Sequence, residues 1–226
     1  MGSTDALQNM ALKAVSHVKN NTIVGLGSGS TVSVFVKTLA KHVKDNKLDI
    51  RVMPTSLQIK LEAEALGFKI ADETLIPSTD IVFDGADQID AKFNMIKGGG
   101  GALLREKVLI HASKQTVILA DESKYVDVLT KAVPIEVIPY ARTHVINELK
   151  KMDAQPNVRS LDKGYPFITE NGNLILDTNF KKINDVAKME LQLKNIAGVM
   201  EVGLFSKHAD KYYKAKKNSA VEVLTP

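Results

Sequence analysis

At 226 residues the chain has room for one large domain or two small ones, each with a real core. Hydrophobic residues at 44% and charged residues at 25% are ordinary for a globular chain, and a formal charge of +4 spread along it suits an anionic small molecule at least as well as nucleic acid. There is no cysteine, which excludes disulfides, a thiol nucleophile and thiolate metal sites, and no apolar run reaches the roughly 18 residues of a membrane span.

Residues 5–19 place Leu7, Met10, Ala11, Ala14, Val15 and Val18 at helical spacing and predict an amphipathic helix, with nothing of a secretory signal in its pattern. A short buried strand from Thr22 to Gly27 runs into Ser28, Gly29, Ser30 and Thr31, and a helix follows through Val32, Phe35, Val36 and Leu39. Strand, Gly/Ser/Thr loop and helix start form an anion-binding arrangement, because free backbone N–H groups and hydroxyls face the ligand with the helix dipole behind them. The glycines do not fit a dinucleotide fingerprint: Gly29 comes one position early, and the next strand, 50–54, ends in Thr55 and Ser56 rather than an acid. No Gly-Lys-Ser/Thr follows either, so a small phosphate site is favoured over a nicotinamide site or a purely structural turn.

Ser56 opens a helix over 56–66 that Gly67 closes, and 68–70 is a brief strand. The strand 80–83 ends at Asp84, which begins a turn through Gly85 and Ala86 to a second acid, Asp87. Lys97 then opens the run Gly98, Gly99, Gly100 and Gly101, and Glu106 lies about one and a half turns into the next helix. A glycine run is entropically costly, and makes sense where backbone passes close to a ligand or presents N–H groups to an anion. After a helix through Val108, Leu109 and Ile110, the strand 116–120 ends in Asp121, Glu122, Ser123 and Lys124.

Apolar strands alternating with helices imply a parallel sheet with right-handed crossovers, and ligands bind outside the carboxyl ends of such strands. Every strand here ends in ligand-type residues at that edge. A helix cap accounts for Ser56 and Asp121. Glu106 alone would be a helix-start acid favoured by the dipole by under about 1 kcal/mol. Two acids, a lysine and a glycine run together are a candidate active site.

From residue 131 the pattern changes. A strand at 133–138, a helix at 140–151, strands at 157–161, 166–169 and 174–176, a helix at 183–195 and a last strand at 199–205 predict a smaller ferredoxin-like α+β domain. The Asn171-Gly172 pair marks a hairpin turn. No comparable cluster of catalytic residue types falls here, so this domain covers the site or forms subunit contacts. The lysines at 207, 211, 214, 216 and 217 read as a solvated face, and 221–224 as a strand returning to the first domain. The expected division is 1–130 plus 206–226, and 131–205.

The motifs together resemble the type A family of ribose-5-phosphate isomerases over essentially the whole chain. The resemblance is carried by Gly25 to Thr31, Pro54 to Ser56, Asp84 to Asp87, Lys97 to Gly101 with Arg105, Glu106 and Lys107, Ala120 to Lys124, Pro134 to Pro139, Thr169 to Asn173, and Gly203 to Phe205. It implies a Rossmann-like parallel-sheet domain beside the smaller one. It also implies an enzyme of the non-oxidative pentose phosphate pathway that interconverts D-ribose 5-phosphate and D-ribulose 5-phosphate through a cis-enediolate, without metal or organic cofactor. On the matching positions Glu106 is the base, Lys97 stabilises the enediolate oxyanion, and Asp84 assists ring opening and the proton shift between oxygens. Asp87 holds sugar hydroxyls, and Ser28, Gly29, Ser30, Thr31, Gly85, Ala86, Gly98, Gly99, Gly100 and Lys124 bind sugar or phosphate.

Two positions depart from the family pattern: Gln88 stands where Glu is common, and Leu7 where some members direct a lysine at the phosphate, with Lys13 as the alternative. The expected partner is a sugar phosphate, not nucleic acid or membrane, in a cytoplasmic homodimer or homotetramer. A sugar-phosphate-sensing domain of a regulator is the rival of a different class; it would be expected to lack Glu106 or Lys97 and to carry a helix-turn-helix.

Overall fold

The computed structural model describes residues 2–72 and 78–226. In chain order the first elements are α1 (Gly2–Ala14), β1 (Thr22–Leu26), α2 (Ser30–Asp45), β2 (Ile50–Pro54), α3 (Leu57–Ala65), β3 (Lys69–Ile70) and β4 (Ile81–Asp84). Next come β5 (Gln88–Ile89), β6 (Met95–Ile96), α4 (Leu103–Ala112), β7 (Thr116–Asp121), β8 (Val133–Val137) and α5 (Arg142–Lys151). The chain closes with β9 (Gln155–Val158), β10 (Leu174–Asn179), α6 (Val186–Lys194), β11 (Val199–Val202), β12 (Leu204–Phe205), β13 (Lys211–Ala215) and β14 (Val221–Leu224).

Two compact units result. The first holds residues 1–86, 105–124 and 209–226, and the second 87–104 and 125–208. Residues 87–104, which the sequence pattern assigns to the first domain, therefore belong with the second. Their strands β5 and β6 are two residues each, too short to show a period, and they build a three-stranded sheet with β12, more than a hundred residues onward.

The first unit is a seven-stranded sheet in the order β14-β13-β7-β4-β1-β2-β3, parallel except at β14. Strand β4 is buried along its whole length, as a central parallel strand covered on both faces requires. Its Phe83 stacks on Phe35 of α2 with centroids 4.2 Å apart, a contact that adds about 0.5–1.5 kcal/mol to the area it buries. Ser56 caps α3 by accepting the Ile59 N–H at 3.3 Å, as expected of a helix start there. At the amino edge Asp80 accepts the Ile23 N–H at 2.9 Å and pairs with Lys114 at 2.7 Å. The Lys114 hydrogen bond, then that from Ile23, holds its carboxyl below the usual range. The carboxyl edge is left for ligands.

Strand β13 is a correction. Its lysines are partly exposed, in keeping with a solvated face, but the strand itself was not expected: Lys211 to Ala215 run parallel to β7 with Tyr212 fully buried.

The second unit carries the expected β-α-β-β-α-β order as an antiparallel sheet β11-β8-β10-β9, in which β10 fills the gap between β8 and β9. Val145 and Leu149 of α5 and Val186 and Leu193 of α6 form one core with Val133, Ile135 and Leu176. The expected strand at 166–169 reduces to single bridges, Ser160 with Pro166 and Ile168 with Leu174. The expected strand 199–205 breaks at Gly203. There the Gly203 N–H donates to Pro134 O at 2.7 Å while its carbonyl accepts the Lys97 N–H at 2.9 Å. A Cβ at this position would lie 2.4 Å from Lys97 O and 2.9 Å from Pro134 O, so only glycine lets the strand change from one sheet to the other. Among the described residues no helix is long and apolar enough to cross a membrane.

Candidate active site

In the first unit, four strands deliver candidate residues to one edge. Leu26 pairs with Phe83 and with Pro54, and Asp84 pairs with Ile118, so the segments after β1, β2, β4 and β7 leave the sheet side by side. Asp84, 1% exposed, accepts the Gly85 N–H at 2.7 Å. Its carboxylate lies against the backbone of Gly27: a Cβ there would sit 1.8 Å from Asp84 Oδ1 and 2.1 Å from its Cγ. No rotation of so short a side chain relieves both contacts. Gly27→Ala is therefore expected to displace Asp84 and to lower kcat by about tenfold or more, since small misplacements at reacting groups are expensive. Native kcat in a folded G27A protein would show that Asp84 is not needed where it stands.

Glu106, in the first turn of α4 and 4% exposed, accepts a short hydrogen bond from the Ser28 hydroxyl. Ser28 therefore touches the proposed base. Gly29, at φ 89°, caps α2, and Ser30 and Thr31 occupy that helix's first turn with its positive dipole end. Lys124 ends a short 3₁₀ turn beyond β7 and is half-buried. Gly85 and Ala86 lie between Asp84 and the point where the chain enters the second unit.

In the second unit Asp87 accepts the Gly99 N–H at 2.8 Å and donates its own N–H to Ile96 O at 2.8 Å. Lys97, one residue past β6 and 2% exposed, has its Nζ 5.5 Å from the centre of the Phe205 ring on β12. A cation held over a ring away from water gains roughly 2 kcal/mol, which helps keep the ammonium buried. Gly98 and Gly101 adopt φ of 101° and 83°, and the Gly101 N–H closes a turn on Gly98 O at 2.9 Å. Gly100 is exposed.

The family model described as Ribose 5-phosphate isomerase A (phosphoriboisomerase A) matches residues 51–219. The chain belongs to this family. A ribose-5-phosphate isomerase A of Methanosarcina acetivorans is 38% identical over 226 residues, covering 99% of this chain and 96% of that relative. The structure of ribose 5-phosphate isomerase A from Methanocaldococcus jannaschii superposes with a TM-score of 0.93 at 35% identity, covering 98% of this chain and 99% of the other. A D-ribose-5-phosphate isomerase in complex with phospho-erythronic acid superposes with a TM-score of 0.92 at 37% identity, covering 97% and 98%. Membership makes the chain an enzyme of the ribose-5-phosphate isomerase class.

The two departures from the family pattern have structural accounts. Gln88 faces a turn of the second unit: its Oε1 accepts the N–H groups of Thr130 and Lys131 at 2.8 and 2.9 Å, and its Nε2 donates to Thr130 Oγ1 at 2.9 Å. A neutral amide serves both directions at once. Leu7 packs against the core, and Lys13 Nζ reaches Val221 O of the edge strand β14 at 3.5 Å. Sequence reasoning missed Gly27 as the seat of Asp84, and Gly203 as the anchor of Lys97. A glycine needed for space leaves no local signal beyond its identity.

Proposed function

We propose that the chain interconverts D-ribose 5-phosphate and D-ribulose 5-phosphate through a cis-enediolate, with Glu106 moving the carbon-bound proton. The observation that carries this is the buried Glu106 carboxylate, fixed by Ser28 directly beyond β1, beside the strand that ends in Asp84. A glutamate away from water and held in place by the Ser28 hydroxyl is placed to take a proton and return it. A solved relative is in complex with phospho-erythronic acid. Such a ligand, with phosphate at one end and carboxylate at the other, has the charge layout of a sugar-phosphate enediolate.

Asp84 assists opening of the furanose to the free aldehyde. Glu106 then removes the proton on C2, the C2–H electron pair becomes the C1–C2 double bond, and the carbonyl pair moves onto O1. Lys97 and glycine N–H groups stabilise that oxyanion. Asp84 carries a proton from O2 to O1. As C2=O forms, the double-bond pair takes the proton back from Glu106 at C1, which gives the ketose and restores the carboxylate. Asp87, Gly85 and Ala86 hold the sugar, while Ser28, Gly29, Ser30, Thr31 and Lys124 bind sugar or phosphate. No metal or organic cofactor enters any of these steps. Cytoplasmic location and assembly as a homodimer or homotetramer complete the proposal, since most soluble oligomers are closed and symmetric.

The test is turnover of D-ribose 5-phosphate in deuterated water after treatment with chelator, followed by NMR. Ribulose 5-phosphate carrying deuterium at C1 is the expected product, because a proton held on a carboxylate exchanges with solvent. Ketose free of deuterium would argue for a hydride shift or a shielded proton. No ketose would overturn the isomerase reading in favour of a sugar-phosphate sensor.

A further inference from the structure

The glycine loop is held from outside by side chains that the reaction scheme does not use. Arg159, one residue past β9, donates from Nη1 to Gly98 O at 2.9 Å and to Gly99 O at 3.0 Å. Its other nitrogens are taken by Asp177 of β10, Nε to Oδ2 at 2.8 Å and Nη2 to Oδ1 at 2.5 Å. The guanidinium lies 5.6 Å from the centre of the Phe167 ring, and that ring sits where a Cβ on Gly101 would be, 2.4 Å from its Cζ. Arg159 is only 15% exposed in its side chain.

The described peptide bonds are trans, and in a trans peptide the C=O and N–H point in opposite directions. Holding Gly98 O therefore turns the Gly99 N–H away from Arg159, and that N–H is the one received by Asp87. Holding Gly99 O does the same for the Gly100 N–H, on an exposed residue. One forked cation thus sets the direction of two successive donors. Lysine offers a point charge without the rigid fork that keeps the Asp177 pair and both carbonyls together.

We propose that Arg159, locked by Asp177, is the positioning residue of the glycine loop and aims the Gly100 N–H as an oxyanion donor for the isomerisation. This rests on the reaction assigned above and adds two residues that act through the loop without touching substrate.

The experiment compares kcat, KM and melting temperature for Arg159→Lys, Arg159→Ala and Asp177→Asn, with Glu106→Gln alongside. A donor that matters in the transition state is expressed in kcat. We expect R159K to lose about tenfold and R159A about thirtyfold in kcat with KM within about twofold, and D177N a smaller loss of the same kind. Millimolar guanidinium ion should restore part of the R159A rate. R159K keeps the charge and most of the packing, so it decides the matter if R159A folds poorly. A lowered melting temperature with native kcat, or a change confined to KM, would overturn the assignment. Loss of activity in E106Q beside native kcat in R159A would overturn the loop assignment alone. Native activity in E106Q would overturn the reaction scheme and this inference with it.

Discussion

Glu106→Gln is expected to fold like the native chain and to turn over at least about a hundredfold more slowly. The substitution is nearly isosteric, so the space around a side chain 4% exposed is kept. The amide oxygen can still accept the Ser28 hydroxyl that meets the carboxylate in the native protein. What is lost is basicity, since an amide cannot take the C2 proton at neutral pH. Removing a buried negative charge should leave the melting temperature equal or higher, which separates a chemical effect from a folding one. Initial rates from either sugar phosphate, with circular dichroism on the same sample, make the comparison. Rates near native in both directions would sink the assignment of Glu106.

Lys97→Ala has the second largest expected effect, with kcat down by about a hundredfold and KM within about threefold. The argument is positional. Its backbone N–H is fixed by Gly203, its stem is buried, and its ammonium stands at the Phe205 ring. A cation so immobilised needs little reorganisation when charge appears on a substrate oxygen, and a preorganised donor is worth most at that moment. Truncation also leaves a cavity, so Lys97→Met, which fills the space without the charge, should be measured beside it. If K97M and K97A both keep kcat and only raise KM, Lys97 merely holds the ground state.

The parallel sheet was legible because its central strands, such as Ile81 to Asp84, are short apolar runs ending in polar residues, and helical spacing separates them. That common edge also made Asp84, Glu106 and the loop Ser28 to Thr31 legible as candidates, since a parallel sheet sends all its carboxyl ends the same way. Strand β13 was not, because lysines at 211 and 214 on either side of a buried tyrosine pair look like surface. The hold of Arg159 on Gly98 and Gly99 was hidden for another reason. Contacts sixty residues apart leave no periodicity, and an isolated arginine has no motif. Local chemistry can be read from neighbours in sequence, whereas the supports of that chemistry are supplied by tertiary packing.

The chain passes between its two compact units at 86/87, 104/105, 124/125 and 208/209. The first of these crossings falls inside the Asp84 to Asp87 motif, and the second falls just before Glu106. Neither unit is thus a contiguous cassette. Recombination at the first crossing would split the paired acids between parents, and a gene fragment cut at the second or third crossing would encode neither unit whole. An isolated second unit could be made only by joining 87–104 to 125–208 through a new linker.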